Sequence, residues 1–264
     1  MSGLSSCFVL LIILLLVADL NFLYTSSGSV AGAIGKFTDT MRKPEFLAAF
    51  RLTMFSCTFA TILSMLVAIP LGYLLSRYKF PGRWFVDTVV DIPIVLPPLV
   101  LGLSLLILFN KPIGGIVLEK WLQDYLGLTV SFRWPAVVLA QFAVACSFSI
   151  RTMRVTFDQI DARPEDVART LGCNRAQAFY LVALPQAWRG MIAAATIAWA
   201  RALGEFGPIL VFAGSTRFRT EVLSTTVFLE LSIGNLDAAV AVSLLMVAIA
   251  VVFLLLLRWL GTGV

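Results

Sequence analysis

The sequence predicts an all-α, polytopic membrane protein with about six spanning helices and one polar helix-turn-helix outside the bilayer. Three observations carry that expectation. Of the 264 residues, 59% are hydrophobic and only 13% charged, too apolar a balance for a water-facing globular domain. The apolar residues gather in runs near the roughly 20 residues that a helix needs to cross a bilayer. One stretch, Asp161–Arg189, interrupts the apolar C-terminal half with a long polar island.

Taken in order, Cys7–Tyr24 is the first apolar run, broken only by Asp19 and Asn21. A cleaved signal peptide ending near Ala31-x-Ala33 is the rival reading. No Lys or Arg precedes the run, and that site lies well beyond its end, so a retained helix is favoured. Residues 25–50 are rich in Gly and Ser and then mildly charged, and read as a linker and surface segment. Gly35-Lys36 lacks the rest of a phosphate loop, with Val at position 30 and Phe at 37. The second span is Leu52–Leu75. The third runs over Phe85–Phe109, with Asp87 and Asp91 near its start and Pro93, Pro97 and Pro98 inside. Prolines at membrane depth free backbone carbonyls and kink a helix. A polar loop follows over 110–133, then a fourth span, Trp134–Ile150, and a fifth, Met191–Phe212. Residues 213–236 read as a loop, and the last span ends at Leu260. This divides the chain into residues 1–47, a first spanning helix with an extracytoplasmic linker, and residues 48–260, a core of five helices.

Net charge is +5 with no histidine. In so apolar a chain the excess reflects loops on the cytoplasmic side, not nucleic-acid binding. Lys and Arg divide almost evenly between the two sides, so local density decides: Arg77, Lys79 and Arg83 crowd one short loop, and a second cluster fills 151–189. Both are placed in the cytoplasm, with both termini, although Arg42, Lys43 and Arg51 then sit on the wrong side. Cys7, Cys57, Cys146 and Cys173 have no metal-ligand spacing and read as small buried apolar residues, not a disulfide set or a zinc site.

The polar island fits two short helices. Pro164 suits a first turn, Glu165 and Asp166 the positive end of the dipole, and Gly172 a left-handed helix stop. Asn174 and Gln177 have capping-box spacing. Ala176, Phe179, Tyr180 and Ala183 form one apolar face, and Pro185 closes the unit. The bland alternative is a solvated helical loop.

These residues resemble the cytoplasmic loop of permease subunits of binding-protein-dependent ABC importers, whose pattern is E-A-A, three residues, Gly, nine residues, then I-x-L-P. Asp166-Val167-Ala168 stands at E-A-A, Gly172 is in register, and Val182, Leu184 and Pro185 match I-x-L-P. Asp for Glu and Val for the first Ala are departures. The resemblance implies that this loop, 161–189, with Glu165, Asp166, Ala168, Gly172, Val182, Leu184 and Pro185, couples the membrane part to a separate ATP-binding subunit. It also implies a homodimer in the cell (inner) membrane and an extracytoplasmic binding protein that captures the substrate. The chain itself would need no cofactor, since ATP is used by the partner.

The fifth span carries RALGEFG, Arg201–Gly207, followed by Pro208. Arg201 and Glu205, four residues apart, share a helix face. Charges at membrane depth face a bundle interior or a water-filled path, so the pair reads equally as a structural ion pair or as part of a translocation pathway with Pro97, Pro98, Gly204 and Gly207. RALGEFG, VLPPLVLG at Val95–Gly102 and TEVLSTTVFLELSIGN at Thr220–Asn235 are similar to oxyanion permeases of the molybdate, tungstate and sulfate group. The resemblance implies a cargo of molybdate or tungstate, with sulfate or thiosulfate as the alternative. A membrane-embedded enzyme or assembly factor centred on Asp87, Asp91, Arg201 and Glu205 is the reading from another class. Against it stand the lack of histidine, of a nucleophile elbow and of a ligand-spaced cluster.

Overall fold

The computed structural model describes residues 2–112 and 114–262. Its regular elements are helical: α1 (Ser2–Ser27), α2 (Val30–Arg42), α3 (Pro44–Arg77), α4 (Arg83–Val95), α5 (Pro98–Asn110), α6 (Leu118–Leu126) and α7 (Trp134–Gln159). There follow α8 (Arg163–Thr170), α9 (Arg175–Ala178), a π-turn over Phe179–Ala183, α10 (Leu184–Gln186), α11 (Trp188–Leu203), a second π-turn over Ile209–Ala213, α12 (Leu223–Ser232) and α13 (Leu236–Thr262).

Among the described residues, four stretches are long and apolar enough to cross a bilayer: Ser6–Ser26 in α1, α3, α7 and Leu236–Leu256 in α13. The six expected spans are reached only by counting two broken pairs as one each. The pair α4 and α5 is bent by 113° at Leu96–Pro97, and the run Arg175–Gln186 with α11 by 73°. The third span is therefore a corner. Pro97 has no N–H to continue the helix and takes an extended ψ of 134°, and Pro98 opens α5 at its first turn.

Three segments read as loops contain helices. Within 25–50, Ser29 caps α2 by accepting a hydrogen bond from the Gly32 N–H at 3.0 Å. Ile34, Phe37 and Met41 then recur on one face, a pattern that the intervening glycines obscure. Within 110–133, α6 stops at Gly127, and its Glu119 turns back to accept from the N–H groups of Val130 (2.8 Å) and Ser131 (3.2 Å). Within 213–236, α12 begins after Thr225 accepts from the Val222 N–H at 3.0 Å.

The chain divides into two compact units. One holds the residues up to Thr53 with Ser215–Val251; the other holds Met54–Gly214 with the end of α13. In the first, Phe46, Ala49, Leu223, Ala238 and Val242 form the apolar core. Thr53 joins it by accepting from the Leu223 N–H at 3.0 Å. A polar network flanks it: the exposed Arg217 pairs with Glu45 and with the buried Glu230 (2.9 Å), and Asn235 donates to Glu230 at 2.8 Å.

In the second unit α7 is the centre, with 67% of its spanning window buried. Its inward face meets Ala68, Leu75, Ala183, Ala187 and Ala194 around Met153 and Phe157. Small residues on the neighbouring helices let their backbones approach closely, the usual device where lipid supplies no hydrophobic drive between helices. Of the cysteines, Cys57 and Cys146 are buried, as read from sequence; Cys7 is instead exposed on α1.

Candidate functional site: a polar elbow and a break in the fifth span

The polar island folds as a tight elbow. The N–H of Cys173 donates to Ala168 O at 3.1 Å and that of Gly172 to Arg169 O at 3.1 Å, the two bonds of a Schellman stop, so orphan carbonyls of α8 are satisfied. Gly172 supplies the required left-handed conformation, φ +102°. Nothing lies within 4 Å of where its Cβ would stand, so conformation alone selects glycine here. Across the turn Asn174 accepts from the Gln177 N–H at 2.8 Å while Gln177 accepts from the Asn174 N–H at 2.8 Å. This is the reciprocal box its spacing predicts.

Beyond the box the structure departs from the expected pattern. Five residues of π-helix, Phe179–Ala183, rotate the register. The buried face becomes Ala178, Ala183 and Ala187, with Phe179 half-buried, while Ala176 and Tyr180 are exposed. Pro185 does not close the unit. The helix runs through Leu184–Gln186 and bends only at Ala187, because the wider π-turn tolerates the N–H that proline lacks.

Of the residues the elbow brings together, Glu165 has the most partners. It is 7% exposed, accepting from Tyr73 Oη at 2.6 Å and from Arg77 Nε at 3.0 Å. Arg77 also donates to Ile160 O at 2.9 Å. One arginine at the end of α3 thus holds both the α7–α8 junction and α8. Asp166 points outward beside Arg169 at 3.7 Å. Ala168, Val182 and Leu184 are half-buried, and Pro185 is exposed. Arg175 lies 5.7 Å over the Tyr78 ring. Tyr73 was not singled out from sequence, and Arg77 only as a loop cation, since partners on separate helices leave no spacing signal. Gly190 was missed for the same reason: a Cβ there would overlap the Thr156 side chain.

In the fifth span α11 ends at Leu203 and the chain is irregular through Gly204–Phe206. Arg201 and Glu205 pair at 2.9 Å, with Glu205 1% exposed and the Arg201 side chain 34% exposed. The guanidinium lies 5.7 Å from the Phe148 ring centre. Gln141, fully buried on α7, donates to Ala202 O at 3.1 Å, tying the end of α11 to the central helix. Pro98 and Gly207 meet: a Cβ at Gly207 would stand 2.8 Å from Pro98 Cβ, and one at Gly102 2.7 Å from Pro208 Cα. Pro97 and Gly204 are exposed. Asp87 and Asp91 do not join Arg201 and Glu205. They pair with Arg154 (2.6 Å) and Arg151 (2.7 Å), so the single polar centre that an enzyme reading requires does not form.

Comparison with known proteins agrees with this architecture. The sulfate transport system permease protein CysT of Escherichia coli K12 is 31% identical over 252 residues, 96% of this chain and 88% of that protein. The molybdenum transport system permease protein ModB of the same organism is 31% identical over 219 residues, 83% of this chain and 94% of that protein. The molybdate/tungstate transport system permease protein WtpB of Thermococcus kodakarensis is 32% identical over 230 residues, 87% and 85% of the two. In fold, the chain is similar to one from a crystal structure of a bacterial alginate ABC transporter, with TM-score 0.75 and 19% identity over 98% of this chain and 94% of that one. It is also similar to one from the MetNI methionine ABC transporter, with TM-score 0.62 and 18% identity over 82% and 93%. The family described as binding-protein-dependent transport system inner membrane component matches residues 68–264, and the chain belongs to that family, as a multi-pass membrane transport subunit.

Proposed function

We propose that this chain is the membrane-spanning permease of an importer that moves a tetrahedral oxyanion, molybdate or tungstate, into the cytoplasm. The observation that carries the reading is that relatives named for molybdenum, molybdate/tungstate and sulfate transport align over 83%, 87% and 96% of the chain. Sulfate is the second reading, because the sulfate relative matches the larger share. Two copies enclose the path, residues 48–260 forming the transport core and 1–47 adding the first span and an outer segment. A loaded binding protein docks outside, and a separate ATP-binding subunit engages the elbow at 161–189 through Asp166, Ala168, Gly172, Val182, Leu184 and Pro185, with Glu165 as its anchor to α3. Closure of the ATP-binding subunits on ATP drives the elbows and turns the cavity from one side to the other. The chain itself holds no cofactor in this scheme. The broken fifth span, with Arg201, Gly204, Glu205 and Gly207 beside Pro97 and Pro98, lines the path.

Uptake of radiolabelled molybdate, tungstate and sulfate into cells with and without this chain tests the cargo; loss of sulfate uptake alone selects the second reading. Orientation is tested by single cysteines. At Arg83 or Arg175 they should be shielded from impermeant thiol reagents in intact cells, and at Lys120 one should react. The reverse pattern removes both the orientation and the coupling role.

A further inference from the structure

We propose that the cleft between α4 and the C-terminal half of α7 is a tetrahedral-oxyanion site whose two arginines are engaged, in this conformation, by aspartates of α4. The proposal rests on the oxyanion-transport reading and deepens it.

The cleft is a cavity of about 340 Å³ lined by Leu75, Asp87, Asp91, Arg151, Arg154 and Asp158, among others. Asp87 and Asp91 are four residues apart on α4, and Arg151 and Arg154 three apart on α7, so each pair shares a helix face. Arg151 donates Nε and Nη2 to the two oxygens of Asp91, both at 2.7 Å, and Arg154 donates Nη1 to Asp87 at 2.6 Å. Two parallel N–H bonds to one carboxylate are the same fork by which a guanidinium holds an oxyanion. Asp91 therefore fills the place an anion would take.

Charge sets which state accepts the ligand. With α4 docked, three aspartates face two arginines and the cleft repels a dianion. With α4 withdrawn, only Asp158 remains. Its Oδ1 accepts from Ser76 at 2.6 Å, and Arg154 Nε stands 3.8 Å from its Oδ2. Two arginines against one aspartate attract an anion. Moving one helix reverses the sign of the site.

α4 is built to move. None of its residues is buried, and Val86 and Val90 pack on the core cluster around Met153 and Phe157. One end is hinged at Gly82, φ +86°, and the other at the 113° corner before α5. Two ion pairs with part-exposed side chains are the principal polar ties. Anion release is thereby coupled to redocking of α4, with no deep well needed in the path.

The test is retention of radiolabelled molybdate by the full chain in lipid discs. D87N/D91N should retain it at a concentration lower by about tenfold, within the usual range for a ligand coupled to a conformational equilibrium, and adding R151Q/R154Q should remove that gain. Unchanged retention in D87N/D91N, or a gain that survives R151Q/R154Q, overturns the site. A second measurement does not depend on those variants. Cysteines at Val90 and Val155, which flank the cavity, are bridged by a reducible bis-thiol reagent in vesicles carrying the whole transporter, with Cys7 and Cys173 changed to Ser. Bridging should stop molybdate uptake and reduction should restore it; undiminished uptake overturns the moving helix. A wild-type chain that carries no oxyanion sinks the transport reading and this site together. A wild type that carries one, beside an unaltered D87N/D91N, removes the site alone.

Discussion

At Leu171–Asn174 the chain turns between α8 and α9 on hydrogen bonds that neighbours in sequence supply to one another. At Gly204–Pro208 it leaves α11 on contacts from distant parts of the chain: Gln141 on the Ala202 carbonyl, Pro98 against Gly207, Gly102 against Pro208. The first break is encoded locally, and most of its residues are exposed. The second is encoded by packing and by one ion pair, of which the acid is fully buried. A locally encoded turn can be strained without dismantling the protein, whereas a packed one cannot be altered without moving its neighbours.

The largest effect should come from filling the packed break. Gly207→Leu places atoms where the α5 backbone and Pro98 already stand, and overpacking of this kind costs about 3 kcal/mol or more. The variant should fail to accumulate in the membrane. Normal accumulation and a wild-type melting curve would mean that α5 gives way easily, and the contrast between the two breaks would collapse.

The ion pair should come next, and unequally. Arg201→Ala takes the cation from a carboxylate that is 1% exposed, at a cost of about 3 kcal/mol for a broken buried pair. Glu205→Ala leaves an arginine whose side chain is one-third exposed and can reach toward water, so it should cost less. The double substitution should recover part of the Arg201→Ala loss, read by thermal melting of the purified protein. If Arg201→Ala abolishes uptake while the melting curve stays intact, and the double variant is equally inactive, Arg201 acts on the anion. If both single variants are normal in assembly and uptake, neither role holds.

The open elbow should tolerate its insult structurally. Gly172→Val forces a β-branched residue to φ +102°, a strain of about 1–3 kcal/mol with no clash. Membrane insertion should persist while ATP-driven uptake falls. Unchanged ATP hydrolysis coupled to uptake would remove the elbow from the coupling path.

The same contrast explains what could be read in advance. The Schellman stop at Gly172, the box at Asn174 and Gln177, and the Arg201–Glu205 pair were legible because each lies within six residues of chain. Four long spans were legible from hydropathy, and the break of the third in outline from Pro97 and Pro98. The π-turn at Phe179–Ala183 was not: it is selected by the fit of Ala178, Ala183 and Ala187 to a core that no local period reports. Nor was the burial of Glu165, whose spacing suits a dipole partner but whose fate is set by Tyr73 and Arg77 on α3. Helices α2, α6 and α12 were hidden by glycines and polar residues that read as loop until their caps are seen.

The smallest effect concerns a buried carboxylate in neither break, and it separates burial from function. Glu221 is 3% exposed, and burial pushes its carboxyl above the usual carboxylate range. Thr226 donates to it at 2.9 Å and Arg217 opposes the rise, while Glu45 and Glu230 add to it. A raised acid holds its proton better in the folded chain than in the unfolded one. Its contribution is therefore complete below the unfolded value and is lost as pH climbs through the folded one. Glu221→Gln keeps the acceptor for Thr226 and removes the titration. The melting temperature of the variant should gain on wild type as pH rises from acid toward neutral, by less than any of the changes above. Uptake at a fixed pH should stay the same. A gap that closes with rising pH would mean that Glu221 is ionised and held by Arg217, and the network would then be a salt bridge and not a proton store.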